Sequence, residues 1–478
     1  MNPPFEIHGT TTPEFAGVRA EFAAAMAEET HDAGAQLAVY HRGALVVDLA
    51  AGALRGDSLT GVFSIGKGAA HLVVALLVQD GVLALDRRVT DHWPEFAAHG
   101  KAELTLRQLL EHRAGLIGVT GGFSMDELAD DRVIAERLAR QRPFWRPGTG
   151  YGYHAFTIGA LTGEVVRRAT GRSIQEWFEA RVRAPYGLDL HLGLPEDREH
   201  RFVPVRPMLP VNRQAPPPRP LETLLGVAFN ANGPTATDLS EFANRRRTRA
   251  LGQSSAGAVG NARGAAGMYA VALGAPGRPG LLAPETVARF ARLATPGTDL
   301  VTEETDHFGL GFERPPAARY PGLGDTAFGH SGAAGSQAFA DPATGIAYGY
   351  VRRRFPMPPG GGGAAENDRL VASVLDAVRA IRLPGHSQQA VQDAPEDVVE
   401  PVGGVGRVSG GEHRRQMGTV TGRHGVPQVR PPARRVLRPV VQLVTHQHRD
   451  RPVEHRESRQ LPGRGRGMAG EDRHGVFQ

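Results

Sequence analysis

The chain has 478 residues, 41% of them hydrophobic, and a formal net charge of +5, so it can hold one large domain or two to three ordinary ones. It contains no cysteine, which excludes a disulfide framework and a thiolate metal site. The first residues lack a basic segment followed by an apolar one, and no apolar run is long enough to span a bilayer. We therefore expect a cytoplasmic protein without a membrane partner.

The excess positive charge lies in the C-terminal part of the chain. Residues 383–478 contain 15 Arg and 10 acidic residues, a surplus of 5 that equals the whole net charge. The preceding residues are thus close to neutral, and no basic face for a nucleic acid is predicted. Apolar periodicity also ends near 383, and the scattered histidines there lack metal-ligand spacing. We predict one domain over residues 1–382, a tail over 383–478 that is disordered or not natively folded, and no metal or cofactor.

The predicted elements, in chain order, mix helices and strands. Residues 14–30 have the apolar spacing of a helix, and residues 35–40 and 44–49 are predicted to be two strands of a hairpin. Further helices are predicted from Ser64 to near Gly81, over 105–112, over 126–141, from 158 to near Gly171, from about 238, over 264–273 and over 368–381. A second hairpin is predicted from 336–340 and 346–351, around a turn at 341–345.

Ser64 and Lys67 stand at the start of one predicted helix. Because they are three residues apart, their side chains share one face of its first turn. The free amides and the positive end of the helix dipole favour a developing anion at this position. A serine hydroxyl is a weak nucleophile that needs a neighbour to accept its proton. A lysine amine can accept it when desolvation or nearby positive charge lowers the amine's pKa.

The lysine content of the chain supports a special role for Lys67. The chain has only two lysines, Lys67 and Lys101, and otherwise uses arginine. Arginine stays protonated at working pH and cannot serve as a base. Lys101 has Ala98 three residues before it, so it forms no competing pair. A Ser-x-x-Lys pattern is nevertheless common by chance, and alone it does not establish catalysis.

Two glycine-dense segments follow later in the chain. Residues 145–155 contain four glycines and prolines and are predicted to form a tightly turning loop that places Tyr153 at the mouth of the next helix. Residues 329–335 contain His330, Ser331 and Gly332 and lead into the second hairpin. No serine has glycine two residues before and two residues after it, which excludes the nucleophile elbow of the α/β-hydrolases.

Taken in order, Ser64-x-x-Lys67, Pro147-Gly148-Thr149 with Tyr153-His154-Ala155, and His330-Ser331-Gly332 resemble the motifs of the serine beta-lactamase-like superfamily. The resemblance is closer to its esterase branch, the family VIII carboxylesterases, and covers about residues 12–382. Segments 109–116 and 260–264 are also typical of that branch. The resemblance implies a beta-lactamase/transpeptidase-like α/β (α+β) fold: an antiparallel sheet flanked by helices, joined to a helical lobe, with Ser64 in the cleft between them.

The resemblance also implies roles for individual residues. Ser64 would be the acylated nucleophile and Lys67 its base partner. Tyr153 would share protons with that pair and deliver one to the leaving group, as a phenol near an ammonium can. Tyr151 is the nearest alternative to Tyr153. The alternative for Tyr153 itself is a packed loop aromatic.

The third motif is expected to line the pocket on a strand. Gly332 would let the substrate approach this strand, and the amides of Ala333 and Ser64 would point at the oxyanion. Ser331 would contact the substrate. His330 is expected to orient Ser331 or Tyr153 by hydrogen bonds, with a catalytic base as the alternative. Further candidate pocket walls are Trp145, Phe123 and Phe339, each of which is as readily explained as ordinary core.

Two departures from the family pattern bear on the substrate. Ala155 stands where the beta-lactamase and peptidase branches have Asn, and the third motif lacks the Lys that helps bind a substrate carboxylate. The expected activity is therefore hydrolysis of small carboxylic esters. A beta-lactamase or D-Ala-D-Ala peptidase, an acyltransferase on the same site, and a catalytically silent binding protein remain the alternatives.

Overall fold

We describe the chain from a computed structural model over residues 5–29, 32–207, 223–315, 319–355 and 363–382. The tail predicted at 383–478 lies outside these residues. The strands are β1 (Ile7–Thr11), β2 (Gly34–His41), β3 (Ala44–Gly52), β4 (Thr60–Phe63), β5 (Leu190–His191), β6 (Ala258–Gly260), β7 (Gly274–Ala275), β8 (Arg278–Pro279), β9 (Phe328–Ser331), β10 (Gln337–Asp341) and β11 (Ile346–Arg352). The α-helices are α1 (Ala16–Ala27), α2 (Ile65–Gln79), α3 (Leu106–Leu110), α4 (Met125–Leu128), α5 (Asp131–Arg140), α6 (Ile158–Thr170), α7 (Ile174–Phe178), α8 (Ala184–Tyr186), α9 (Leu224–Ala228), α10 (Leu239–Asn244), α11 (Arg246–Leu251), α12 (Ala262–Leu273), α13 (Pro284–Ala291) and α14 (Glu366–Arg382).

A six-stranded antiparallel sheet forms the centre of the fold, with strand order β1-β3-β2-β11-β10-β9. Both predicted hairpins are confirmed as β2–β3 and β10–β11. Side chains alternate between the two faces of the sheet. Leu37 and Val39 pack in the apolar core formed with α1 and α14, whereas Ala38 belongs to the larger core that contains α2 and α12.

Small residues let α12 lie directly on the sheet. Ala38, Ala338 and Ala347 face this helix. A Cβ atom at Gly349 would lie 2.5 Å from the carbonyl oxygen of Ala262, so only glycine fits there. The α1/α14 face instead carries larger side chains, among them Leu37, Val39, Phe339 and Tyr348. The fold is the beta-lactamase/transpeptidase-like arrangement that the sequence predicted, with helices on both faces of an antiparallel sheet.

Helix α2 is the most deeply buried helix segment near the sheet edge. Every residue from Ile65 to Leu77 is buried, as expected for a helix that is apolar on all sides. It contacts α6, α7, α12 and strand β9. The predicted start is confirmed, since Ser64 is the residue that precedes the helix, and Asp80 and Gly81 follow its end.

One helix prediction was wrong in its extent. Residues 126–141 were predicted as a single helix, but the chain forms α4 and α5 with a break at Ala129 and Asp130. The Asp130 carboxylate accepts a hydrogen bond from the Arg132 amide at 3.0 Å and so caps α5. A capping aspartate competes with a continuous helix because it satisfies the amides of a new first turn. Among the described residues, no helix is long and apolar enough to cross a bilayer.

Candidate active site

A strained turn delivers Ser64 to the start of α2. Strand β4 ends at Phe63, whose φ of +50° is unusual for a residue with a side chain. The Phe63 ring is buried and meets the Phe355 ring edge-on, with 5.5 Å between centroids. This packing holds a backbone conformation that would otherwise be costly. Ser64 therefore lies at the amino end of a buried helix, where the helix dipole favours negative charge on its oxygen.

The Lys67 amine has three partners and no carboxylate among them. Its Nζ lies 2.9 Å from Ser64 Oγ, 2.7 Å from the Ala155 carbonyl oxygen and 2.9 Å from the Ser255 carbonyl oxygen. The two carbonyl groups can only accept, so they take two N–H bonds. A neutral amine has two N–H bonds and one lone pair. A protonated Lys67 would donate to all three oxygens, whereas a neutral Lys67 would direct its lone pair at the Ser64 hydroxyl.

The electrostatic surroundings of Lys67 favour the neutral form. Burial lowers the pKa of the Lys67 ammonium well below its ordinary value, and the charge of Glu313 acts in the opposite direction to a smaller extent. Burial has this effect because a charged group loses more solvation than a neutral one. Ala155, which departs from the family pattern, thus serves the site through its carbonyl group.

Tyr153 completes a triangle with Ser64 and Lys67. Its Oη donates a hydrogen bond to Ser64 Oγ at 2.9 Å, and Lys67 Nζ lies 4.9 Å from the centre of its ring. Burial raises the pKa of the Tyr153 phenol above its ordinary value, so it keeps its proton in the free protein. The structure therefore brings together the three residues that the sequence analysis proposed as catalytic. The alternative, Tyr151, instead donates to the Gly297 carbonyl oxygen at 2.5 Å.

Asp299 anchors the backbone of the Tyr153 loop. Its buried carboxylate oxygen Oδ1 accepts hydrogen bonds from the amides of Tyr153 at 3.1 Å, Val301 at 2.7 Å and Thr302 at 2.9 Å. Sequence reasoning missed Asp299, which lies 146 residues from Tyr153 in a loop without periodicity. In the sequence, Asp299 has no neighbouring motif that indicates which distant segment its carboxylate would bind, since an aspartate in a loop is explained equally well as a turn residue.

Two buried histidines, His112 and His154, also hold the loop that carries Tyr153. His112 Nδ1 accepts a hydrogen bond from the His154 amide at 3.1 Å, and His154 Nε2 accepts one from the Leu116 amide at 3.0 Å. Burial lowers the pKa of both imidazoles, His154 to about 4, so both are neutral acceptors. They hold the segment that carries the Tyr153 phenol and the Ala155 carbonyl group.

The third motif lies at the end of β9, beside the strand that leads to Ser64. A Cβ atom at Gly332 would lie 2.5 Å from the Val62 carbonyl oxygen, so the close approach that requires glycine is to β4 itself. The Gly332 amide donates to the Ser336 carbonyl oxygen at 2.8 Å in a tight turn. Ala333 is half-buried against the cluster that contains Phe63. This turn brings the Ala333 backbone next to the β4–α2 junction.

His330 contacts Ser331 through the backbone carbonyl group rather than through the hydroxyl group. His330 Nδ1 lies 2.9 Å from the Ser331 carbonyl oxygen and 3.1 Å from Glu313 Oε2, and it makes no hydrogen bond to Tyr153. The Ser331 hydroxyl donates to Glu313 Oε2 at 2.7 Å instead. Among the described residues, His330 Nε2 has no hydrogen-bond partner. Burial lowers the pKa of His330 to about 4, so the ring is neutral.

Of the two alternatives left open for Phe339, the structure shows ordinary core, and other aromatic residues surround Tyr153. Phe339 belongs to the core on the α1/α14 face, stacked on Tyr348, because its position on β10 points away from the cleft. Trp145 and Phe123 pack with the larger core. The rings of Phe308 and Phe229 lie 5.9 and 6.2 Å from that of Tyr153. No group of three or more metal-binding side chains occurs in the described parts of the chain.

The fold and this triangle define a serine hydrolase of the beta-lactamase type. A family model described as Beta-lactamase matches residues 18–373, and the chain therefore belongs to the beta-lactamase family. The chain is 30% identical to "Esterase/beta-lactamase LipL" of Mycobacterium tuberculosis over 387 residues, which cover 74% of this chain and 84% of the relative.

Two solved structures place the chain near esterases of this fold. EstA from Arthrobacter nitroguajacolicus Rue61a is 41% identical, with a TM-score of 0.72, and the match covers 78% of this chain and 99% of EstA. A family VIII carboxylesterase is 33% identical, with a TM-score of 0.70, and the match covers 78% of this chain and all of that one. The protein is thus a serine beta-lactamase-fold hydrolase whose relatives include esterases.

Proposed function

We propose that this protein hydrolyses small carboxylic esters through an acyl-enzyme on Ser64, with Lys67 as base and Tyr153 as acid. One observation carries the proposal. Ser64 Oγ lies 2.9 Å from both Lys67 Nζ and Tyr153 Oη. A base and an acid on the same nucleophile are what a two-step acyl transfer requires.

Acylation follows from the positions of the protons. Lys67 takes the Ser64 proton as Oγ attacks the ester carbonyl carbon. The bond between that carbon and the alcohol oxygen then breaks, and Tyr153 gives its proton to the departing alkoxide. The Lys67 ammonium returns a proton to the phenolate. In the second step, water attacks the acyl carbon and gives a proton to the Lys67 and Tyr153 pair. The bond between the acyl carbon and Ser64 Oγ then breaks, the pair returns the proton to Oγ, and the acid is released.

Two backbone amides support the oxyanion part of the proposal. Within the described residues, the N–H groups of Ser64 and Ala333 donate to no protein acceptor. Both belong to the junction where β4, α2 and the turn after β9 meet. Donors aimed at the developing oxyanion contribute roughly 10²–10³-fold each in acyl-transfer enzymes.

Beta-lactam hydrolysis is a second candidate activity, because the relative LipL is named as an esterase and a beta-lactamase. Transfer of the acyl group to an alcohol instead of water is a variant of the first activity.

Covalent labelling tests the proposal directly. A fluorophosphonate probe should label the protein once, on Ser64, as located by peptide mass mapping, and Ser64→Ala should abolish labelling. Hydrolysis of p-nitrophenyl butyrate should exceed that of a chromogenic cephalosporin. Tyr153→Phe should lower kcat on the ester by roughly 10²–10⁴-fold, whereas Tyr151→Phe, the matched control, should leave it within a few-fold. Labelling of another serine, or equal loss in both tyrosine variants, would refute the assignment.

A further inference from the structure

A buried carboxylate stands directly behind the third motif. Glu313 was not noticed in the sequence, because no motif surrounds it. Its backbone exchanges two hydrogen bonds with Gly329, both 2.9 Å long, which place it beside β9 at the edge of the sheet. Its side chain is only 8% exposed. The carboxylate therefore lies on the protein side of the strand that carries Ser331.

The two oxygens of Glu313 have different partners. Oε2 accepts the Ser331 amide at 2.8 Å and the Ser331 hydroxyl at 2.7 Å, with His330 Nδ1 at 3.1 Å. Oε1 faces His307 Nε2 at 3.9 Å. Burial opposes ionisation of Glu313, but the nearby His307 side chain and the hydrogen bond from the Ser331 amide outweigh it and hold the pKa of Glu313 well below its usual range. An ionised carboxylate only accepts hydrogen bonds.

This arrangement fixes what Ser331 can offer to a substrate. A serine hydroxyl has one proton to donate and two lone pairs to accept with. Glu313 takes that proton, and the charge-assisted hydrogen bond is of the strong kind. Only lone pairs remain on the other side of the Ser331 oxygen. A substrate carboxylate at this position would be repelled, because it would face lone pairs backed by the buried negative charge of Glu313. A neutral group or a hydrogen-bond donor would not be repelled.

Resting on the proposed ester hydrolysis, we propose that Glu313 is a specificity-determining residue. Acting through the Ser331 hydroxyl, it selects against esters that carry a carboxylate near the scissile bond and in favour of neutral esters. Discrimination of this kind arises from an unfavourable contact with the wrong substrate rather than from a better contact with the right one. Burial opposes protonation of His307, but the carboxylates of Glu304 and Glu313 outweigh it and raise the pKa of His307 to about 10, so its ring is a cation. This cation faces Glu313 Oε1, whereas the Ser331 hydroxyl donates to Oε2.

Matched pairs of esters measure this preference. On the alcohol side the pair is 3-acetoxybenzoate and 3-acetoxybenzamide, and on the acyl side mono-p-nitrophenyl glutarate and p-nitrophenyl butyrate. The readout is the ratio of kcat/KM for the neutral to the charged ester. We expect Glu313→Gln to lower this ratio roughly tenfold in at least one pair, because the hydroxyl proton becomes free to face the substrate. Glu304→Gln is the matched control, since Glu304 pairs with the same His307 at 2.9 Å without touching Ser331.

Ser331→Ala gives a second test whose sign is decisive, even if Glu313→Gln folds poorly. If Ser331 presents only lone pairs, its removal lowers the ratio, whereas removal of a hydroxyl that donates to the substrate raises it. The double variant should lower the ratio no further than Ser331→Ala alone. Unchanged ratios in folded variants, or a raised ratio for Ser331→Ala, would overturn the inference. Fluorophosphonate labelling at Ser64 in each variant shows separately whether the hydrolytic site itself is intact.

Discussion

Lys67 and Lys101 are both buried, yet their amines meet different partners. Lys101 Nζ donates to the Gln141 carbonyl oxygen at 2.7 Å, and among the described residues it makes no hydrogen bond to a hydroxyl group. Burial lowers the pKa of Lys101 to about 8 and also lowers that of Lys67 well below its ordinary value. Burial alone therefore does not distinguish the two amines. The Ser64 hydroxyl beside the lone pair of Lys67 makes the difference.

Removal of each lysine amine should separate these roles. Lys67→Met should lower kcat for ester hydrolysis by roughly 10²–10⁴-fold, because no group would take the Ser64 proton. Lys101→Met also removes a buried amine and should leave kcat within a few-fold. The wild-type kcat/KM should fall as pH drops through the lowered pKa of Lys67, since the protonated amine is not a base. A rate that is independent of pH on the acid side, or equal losses in both variants, would contradict this role.

At the level of elements, helix α2 fits its surroundings through its glycines. A Cβ atom at Gly68 would lie 2.2 Å from Tyr269 Oη on α12. The Tyr269 hydroxyl has no hydrogen-bond partner among the described residues. In contrast, a Cβ atom at Gly163 on α6 would meet nothing closer than Ile174 Cγ2 at 3.8 Å. The two glycines occupy similar helical positions but have opposite steric environments.

These environments predict stability changes of opposite sign. Gly68→Ala should destabilise the protein by about 1–3 kcal/mol, because overpacking outweighs the gain in helix propensity. Gly163→Ala should stabilise it by roughly 0.5–1 kcal/mol through helix propensity alone. Tyr269→Phe should restore most of the loss caused by Gly68→Ala, since it removes the clashing oxygen. Urea unfolding of the four proteins checks this, and a double variant no more stable than Gly68→Ala would disprove the contact.

At the scale of the whole molecule, Asp131 ties distant parts of the chain to the active site. Asp131 is half-buried, and its Oδ2 accepts hydrogen bonds from the Ser254 amide at 3.0 Å, the Ser254 hydroxyl at 2.7 Å and Gln175 Nε2 at 2.9 Å. The next residue, Ser255, provides a carbonyl group to Lys67. Asp131 on α5 thus connects α7 to the segment that orients the base. Burial raises the pKa of Asp131 to about 6, in spite of these hydrogen bonds.

The raised pKa makes stability depend on pH in a defined direction. Between its ordinary pKa and about 6 the folded protein binds more protons at Asp131 than the unfolded chain does. This contribution is fully present below the ordinary pKa and is lost as pH rises through about 6, a change on the order of 3 kcal/mol. Asp131→Asn should remove that part of the pH dependence.

Urea unfolding between pH 4 and pH 8 measures the effect as the difference between wild type and variant. Asp130→Asn is the matched control, because Asp130 is the neighbouring carboxylate and its side chain is partly exposed. Curves for wild type and Asp131→Asn that run parallel across this range would show that Asp131 does not titrate as proposed.

The local patterns predicted most elements correctly, because each follows from neighbours in the chain. Helix α6 ends at Gly171 with φ +76°, as a glycine after the last apolar position indicates. The hairpin β10–β11 follows from a turn signal between two apolar runs. The break between α4 and α5 was missed because a capping side chain competes with the helix at short range. Phe339 was left open between pocket wall and core because period-2 alternation does not tell which face of the sheet meets the cleft.

The sequence by itself placed Ser64 and Lys67 side by side, since they are three residues apart on one helical turn, and it indicated Tyr153 through the order of the motifs. Only the tertiary structure decided which groups hold these three in place. Asp299, His112 and Glu313 act across long stretches of chain, and a side chain's partner at such separations depends on how the elements pack. The tertiary structure also decided the direction in which the Ser331 hydroxyl donates, because its only proton goes to a carboxylate from a distant segment of the chain.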